Sequence, residues 1–119
     1  MILEINQNQR SLRRRSRPVL DVDDEIREFS LDMRETMKEG DGVGLAGPQV
    51  NFFKRIIVAK INDRDLVLIN PEITWKSREK DEMEEGCLSL PEVLLKIKRS
   101  SRIKVEALDL CGSVIDLEL

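Results

Sequence analysis

Gly42-Val43-Gly44-Leu45-Ala46-Gly47-Pro48-Gln49 is the stretch at which this chain changes character. Before it, apolar residues recur at helical spacing. After it, they come in short blocks and alternations, as strands do. Its three glycines suit φ > 0 values or a close approach to another backbone or a ligand. Pro48 fixes φ and removes one donor. Gln49 then presents a side-chain amide with two N–H donors and one acceptor. Two readings fit: a turn between helix and strand, or a rigid loop that holds one donor over a reacting group.

Upstream, Ile26, Phe29, Met33 and Met37 fall on one face at the 3.6-residue period and predict a helix over 23–39. Asp21 or Asp23 is placed to cap it, and Asp24 and Glu25 sit where the dipole favours acids. Gly40 is placed to stop it. The two methionines read as core residues at that spacing, not as ligands. Residues 1–20 read as an extended lead-in whose Ile2, Leu3, Ile5, Leu12 and Val19 touch the domain edge.

Downstream, Arg55 to Ile61 and Leu66 to Asn70 predict two paired strands around a polar Asn62–Asp65 turn. Pro71 is expected to end the second, and Ile73 to Trp75 to begin a third. Residues 76–85 are almost wholly charged and read as a solvated loop or edge strand. Leu90-Pro91-Glu92 breaks the chain before an extended 93–97. Ile103, Val105 and Ala107 alternate inward at period 2, Cys111-Gly112-Ser113 turns, and Val114 to Leu119 returns. The expectation is an α+β fold, one N-terminal helix packed on antiparallel strands, as a single domain over 1–119.

The bulk composition narrows the function. A net charge of −3 is too small to point to nucleic acid, and 3% aromatic residues leave little for base stacking. No apolar run reaches the length of a membrane span. Two cysteines, Cys87 and Cys111, make no disulfide framework, and no secretory signal precedes them, so a reducing, cytoplasmic setting is expected. The Arg-rich start, followed at once by acids, reads as a solvated basic segment. The chain contains no histidine, which removes Ser-His and Cys-His pairs and every imidazole ligand.

Glu85-Gly86-Cys87-Leu88-Ser89 is the second stretch that can carry chemistry. Cys87 has three readings: a buried structural thiol, a nucleophile, or a metal ligand. Its acidic neighbours and the lack of a histidine base disfavour the nucleophile. A metal would deprotonate the thiol outright, but the residues alone supply one ligand and no set.

Together the two stretches resemble the first two motifs of the peptide deformylase family, Gly-x-Gly-Leu-Ala-Ala-Pro-Gln and Glu-Gly-Cys-Leu-Ser. The flanks are similar too: Leu12-Arg13 then Pro18-Val19, Arg55-Ile56-Ile57-Val58, Leu68-Ile69-Asn70-Pro71, and Ile103-Lys104-Val105 leading to Ala107-Leu108-Asp109. The resemblance covers essentially the whole chain. It implies a metal-dependent hydrolase that removes the formyl group from the N-terminal formyl-methionine of newly made polypeptides. The partners implied are N-formyl-methionyl nascent peptides near the ribosome, with no direct nucleic acid or membrane contact. Cys87 is implied as a ligand of a divalent metal, Fe2+ or a substitute such as Zn2+ or Ni2+. The Gln49 amide and the Leu88 backbone N–H are implied as donors to the formyl oxygen. Gly44 would pair with an extended substrate, and Val43 would line the methionine pocket. Glu85 and Arg99 match positions near that pocket, with an ion pair between them holding the Cys87 loop. Alternatively, Arg99 is one more solvated member of the Lys96, Lys98, Arg99, Arg102 run.

Two departures stand out. Gly47 occupies a position where the family usually has Ala, which suggests a looser loop. The family's third motif, His-Glu-x-x-His, which supplies two metal ligands and a general base, is absent. The expectation is therefore the N-terminal two thirds of such an enzyme, without its C-terminal metal-binding helix and with little activity of its own. The alternatives are a degenerate relative that binds nascent N-termini without cutting them, or a fragment completed by another chain. An apolar sheet face left exposed, and poor stability with it, would follow from truncation.

Overall fold

The computed structural model describes residues 2–5, 16–76 and 103–118. Helix α1 (Asp24–Glu39) is followed by β1 (Gly44–Ala46), a 3-10 turn (Gly47–Val50), β2 (Ile56–Ile61), β3 (Arg64–Lys76), β4 (Ile103–Leu108) and β5 (Val114–Glu118). The five strands form one sheet in the order β1-β2-β3-β4-β5, every pair antiparallel. The α+β expectation of one helix on an antiparallel sheet is met.

Helix α1 begins where the sequence places its cap. Asp23 is extended, and its carboxylate accepts the Ile26 N–H at 2.9 Å. The apolar stripe buries Ile26, Met33 and Met37 against β1, β2 and β3, together with Val19, Leu45, Val50, Ile56, Val58, Val67 and Ile69. At the far end the left-handed residue is Asp41 (φ 53), not Gly40 (φ −88). The helix stops at Glu39 with Gly40 as its C-cap, as expected, and the Gly42 N–H donates back to the Met37 carbonyl at 2.9 Å.

The β2–β3 hairpin is tighter than expected. Ile61 pairs with Arg64, leaving a two-residue loop of Asn62 (φ 51) and Asp63 (φ 63). Two successive positive φ values define the type I′ hairpin that suits the strand twist. Strand β3 also runs straight through Pro71. The register with β4 shifts between Ile69 and Glu72, and Asn70 there is left-handed (φ 53). A proline at such an irregularity forfeits no ladder bond, so it bends the strand without ending it. The Ile103, Val105 and Ala107 alternation is realised as expected. The β4–β5 turn is organised by Asp109, whose carboxylate accepts the N–H groups of Cys111 and Ser113, with Gly112 at φ 81.

The sheet face away from α1 gathers Ala46, Ile57, Ala59, Leu68, Ile103, Val105 and Ala107, each 4% exposed or less. It is not the exposed apolar face that truncation suggested. Ile61, Leu66, Ile73, Ile115 and Leu117 pack against these residues and are partly buried themselves. In the lead-in, Leu3 and Val19 join the helix-side cluster, whereas Ile2 and Ile5 stay about half exposed. Leu12, the extended 93–97 and most of the 76–85 stretch lie outside the described residues. No helix among the described residues is long and apolar enough to cross a membrane.

Candidate functional site

The Gly42–Gln49 stretch is a short edge strand that ends in a 3-10 turn, not a free bend. Leu45 sinks into the helix-side core and Ala46 into the opposite face, which commits the backbone between them to the plane of the sheet. The Lys60 N–H donates to the Val43 carbonyl at 2.9 Å, directly across from it. In an antiparallel pair such hydrogen-bonded positions alternate with positions whose polar groups point away. Gly44, opposite Ala59, therefore turns its N–H and C=O outward, to the side of β1 that no described strand occupies.

Ala46 has the same parity, and its N–H is taken. It donates to Gln49 Oε1 at 2.8 Å. A backbone N–H can only donate, so the amide's oxygen end is fixed there and its NH2 group is directed elsewhere. The result is a short free edge at Gly44 closed off two residues on by the Gln49 side chain, with an oriented amide donor beside it. Val43, 51% exposed, flanks the same edge.

None of Gly42, Gly44 and Gly47 has positive φ; among the described glycines only Gly112 does. Gly47 is required by a close approach instead. A Cβ there would stand 2.4 Å from the Phe52 carbonyl oxygen and 2.8 Å from that of Lys54. The expected loosening does not occur, because the 52–54 backbone fills the space a side chain would use. The Phe52 N–H also donates to the Gly47 carbonyl at 2.9 Å, and the Phe52 ring stacks on Phe29 of α1, centroids 4.0 Å apart. The turn carrying Gln49 is thereby tied to the helix.

Of the residues singled out from sequence, Val43, Gly44 and Gln49 come together at this edge. Cys87, Leu88, Glu85 and Arg99 lie outside the described residues. Cys111 is free and exposed in the β4–β5 turn. Among the described residues no three Asp, Glu, Cys or His side chains are grouped to hold a metal ion. The role of Asn70 was missed. Its amide accepts the Val19 N–H at 2.7 Å and donates to the Val19 carbonyl at 2.8 Å. An asparagine before a proline marks a turn, and that local signal carries no hint of a partner 51 residues away.

These features define an α+β protein with a free strand edge ending at one fixed amide. Comparison with known proteins is specific: the polypeptide deformylase family model matches residues 1–119. The chain is 44% identical over 110 residues to a peptide deformylase of Chromohalobacter salexigens, covering 90% of this chain and 65% of that protein. It is 49% identical over 111 residues to peptide deformylase 1 of Clostridium perfringens, covering 90% and 75%. The crystal structure of peptide deformylase from Thermotoga maritima superposes with a TM-score of 0.79 at 36% identity, over 100% of this chain and 82% of that one. The chain belongs to the polypeptide deformylase family. It spans less than two thirds of the length of several of its curated relatives, 62% for that of Polynucleobacter necessarius.

Proposed function

We propose that the protein containing this chain is a peptide deformylase, hydrolysing the formyl amide of N-terminal formyl-methionine on newly made polypeptides in the cytoplasm. The observation that carries the reading is the Gly44–Gln49 edge. An extended peptide adds to the outward N–H and C=O of Gly44 as a further strand. The Gln49 oxygen on Ala46 N–H stops that pairing, so the terminal formyl group comes to rest beside the Gln49 NH2. A donor held there before reaction stabilises the charge that develops on the formyl oxygen without reorganising. The Leu88 backbone N–H is the second donor in this reading. Val43 lines the methionine pocket, and Glu85 pairs with Arg99 to hold the Cys87 loop.

Family membership implies a divalent metal, and Cys87 is the ligand this chain would offer it. The 119 residues do not fit that group by themselves. They contain no histidine, and the described ones hold no ligand cluster. One thiolate cannot hold a catalytic metal tightly. A chain of these 119 residues is expected to hydrolyse formyl-Met peptides no faster than buffer containing Fe2+, Zn2+ or Ni2+.

The test is an assay of formyl-Met-Ala-Ser hydrolysis by the product of the native gene, with its intact mass measured alongside. Hydrolysis that falls about a hundred- to a thousandfold in Gln49→Ala supports the proposal. Formyl-peptide binding without hydrolysis by the native product would replace it with a non-catalytic relative. Activity insensitive to Gln49 would remove that residue from the site.

A further inference from the structure

The turn that carries Gln49 is braced from behind by a segment that ends far from it in sequence. Gly47 opens the turn and sits against the 52–54 backbone with no room for a Cβ. That backbone is bonded in turn to a strap at residues 16–19. The Arg17 N–H donates to the Phe53 carbonyl and the Arg55 N–H to the Arg17 carbonyl, both at 2.9 Å. Arg55 Nε reaches the Ser16 carbonyl at 3.4 Å. The strap is closed at its far end by the paired amide bonds between Asn70 and Val19. The Asn70 N–H also donates to the Arg55 carbonyl at 2.8 Å.

We infer that Asn70 is a positioning residue for Gln49, acting through the strap and the 52–55 backbone on Gly47. The side chain of Asn70 stands in for a peptide unit, meeting the N–H and C=O of Val19 as a neighbouring strand would. Its left-handed φ of 53 makes this possible, and asparagine tolerates that region. The strap thus presses the Phe52 and Lys54 carbonyls onto Gly47 and leaves the turn one placement. With that placement the Gln49 oxygen reaches Ala46 N–H, and the NH2 direction follows. Release of the strap lets the 52–54 backbone withdraw. A methyl at position 47 pushes on the same backbone from the other side. The two changes meet at one place and are coupled.

What Gln49 is positioned for rests on the function proposed above; the positioning itself is readable without substrate. The experiment is amide hydrogen exchange and side-chain NH2 chemical shifts by NMR on the product of the native gene, in Asn70→Gly, Gly47→Ala and the double variant. Glycine at 70 keeps the left-handed backbone and removes only the amide. Ala46 N–H is bonded to a side chain, whereas Val58, opposite Leu45 in the ladder, reports the sheet. The expected result is an Ala46 exchange rate raised about tenfold relative to Val58 in Asn70→Gly, with the Gln49 NH2 signals shifted. In the double variant, Gly47→Ala adds less than it does alone, because the wall it meets has already been freed. Ala46 accelerating only in step with Val58, or the two substitutions multiplying independently, would overturn the inference. Asn70→Gly keeps the test decisive even if Gly47→Ala does not fold. A failure of the hydrolase reading would appear separately, as no hydrolysis of a formyl-Met peptide by the unsubstituted product of the native gene.

Discussion

The two faces of the sheet are both buried, but by different means. Under α1 the sheet offers Leu45, Ile56, Val58, Val67 and Ile69, and the helix answers with Ile26, Met33 and Met37. These are large side chains interlocked between two elements. On the other face three of the seven central positions, Ala46, Ala59 and Ala107, are alanine. Larger residues packed against them, such as Ile61, Ile73 and Leu117, remain partly exposed. The helix side is a core whose members have nowhere to go. The opposite side carries smaller side chains with partly exposed neighbours among the described residues, and is expected to yield more.

That contrast can be broken by mutation. Met33 is fully buried at the centre of the helix side, so Met33→Ala should cost about 2–5 kcal/mol. Urea unfolding would show this as a lower midpoint at unchanged slope; a loss under 1 kcal/mol would mean the helix side also relaxes freely. Ala59→Leu probes the opposite face, and about 1–3 kcal/mol is expected from overpacking there. If it costs as much as Met33→Ala, the face is packed as tightly as the core and the distinction fails.

Two smaller changes sharpen the comparison at its edges. Asp23→Ala removes the α1 cap without touching either face and should lower stability by about 1 kcal/mol, seen as a lower melting temperature by circular dichroism. Lys38 and Asp65 form an ion pair at 3.5 Å between the end of α1 and the β2–β3 hairpin, with the lysine 64% exposed. Lys38→Ala is expected to cost at most about 1 kcal/mol, and less as salt rises. A loss beyond that, unaffected by salt, would show that the helix is held at this end by more than charge.

Much of the fold was legible because it is local. The spacing of Ile26, Met33 and Met37 and the aspartate before them state a capped amphipathic helix on their own terms, and α1 matches within a residue. Ile103, Val105 and Ala107 state a half-buried strand in the same way. Pro71 was misread as an end because its neighbourhood looks like a turn. The β3–β4 register shift that accommodates it involves residues more than thirty positions away. Gly47 was misread as slack for the same reason: a missing side chain reads locally as freedom, and only the carbonyls of Phe52 and Lys54 show it to be a contact.

Family membership, the capped helix and the strand alternation were all determined by the sequence by itself. Each depends on motif identity or on spacing along a single element. The tertiary structure alone decided which way the polar groups of Gly44 face, since that parity is set by pairing with Lys60 and Ala59 across the ladder. It also decided that the Gln49 oxygen is held by Ala46, and that Asn70 closes the strap on Val19. An amide side chain can bond in any direction. Which end of it is left for a ligand is fixed only when the rest of the chain has taken the other.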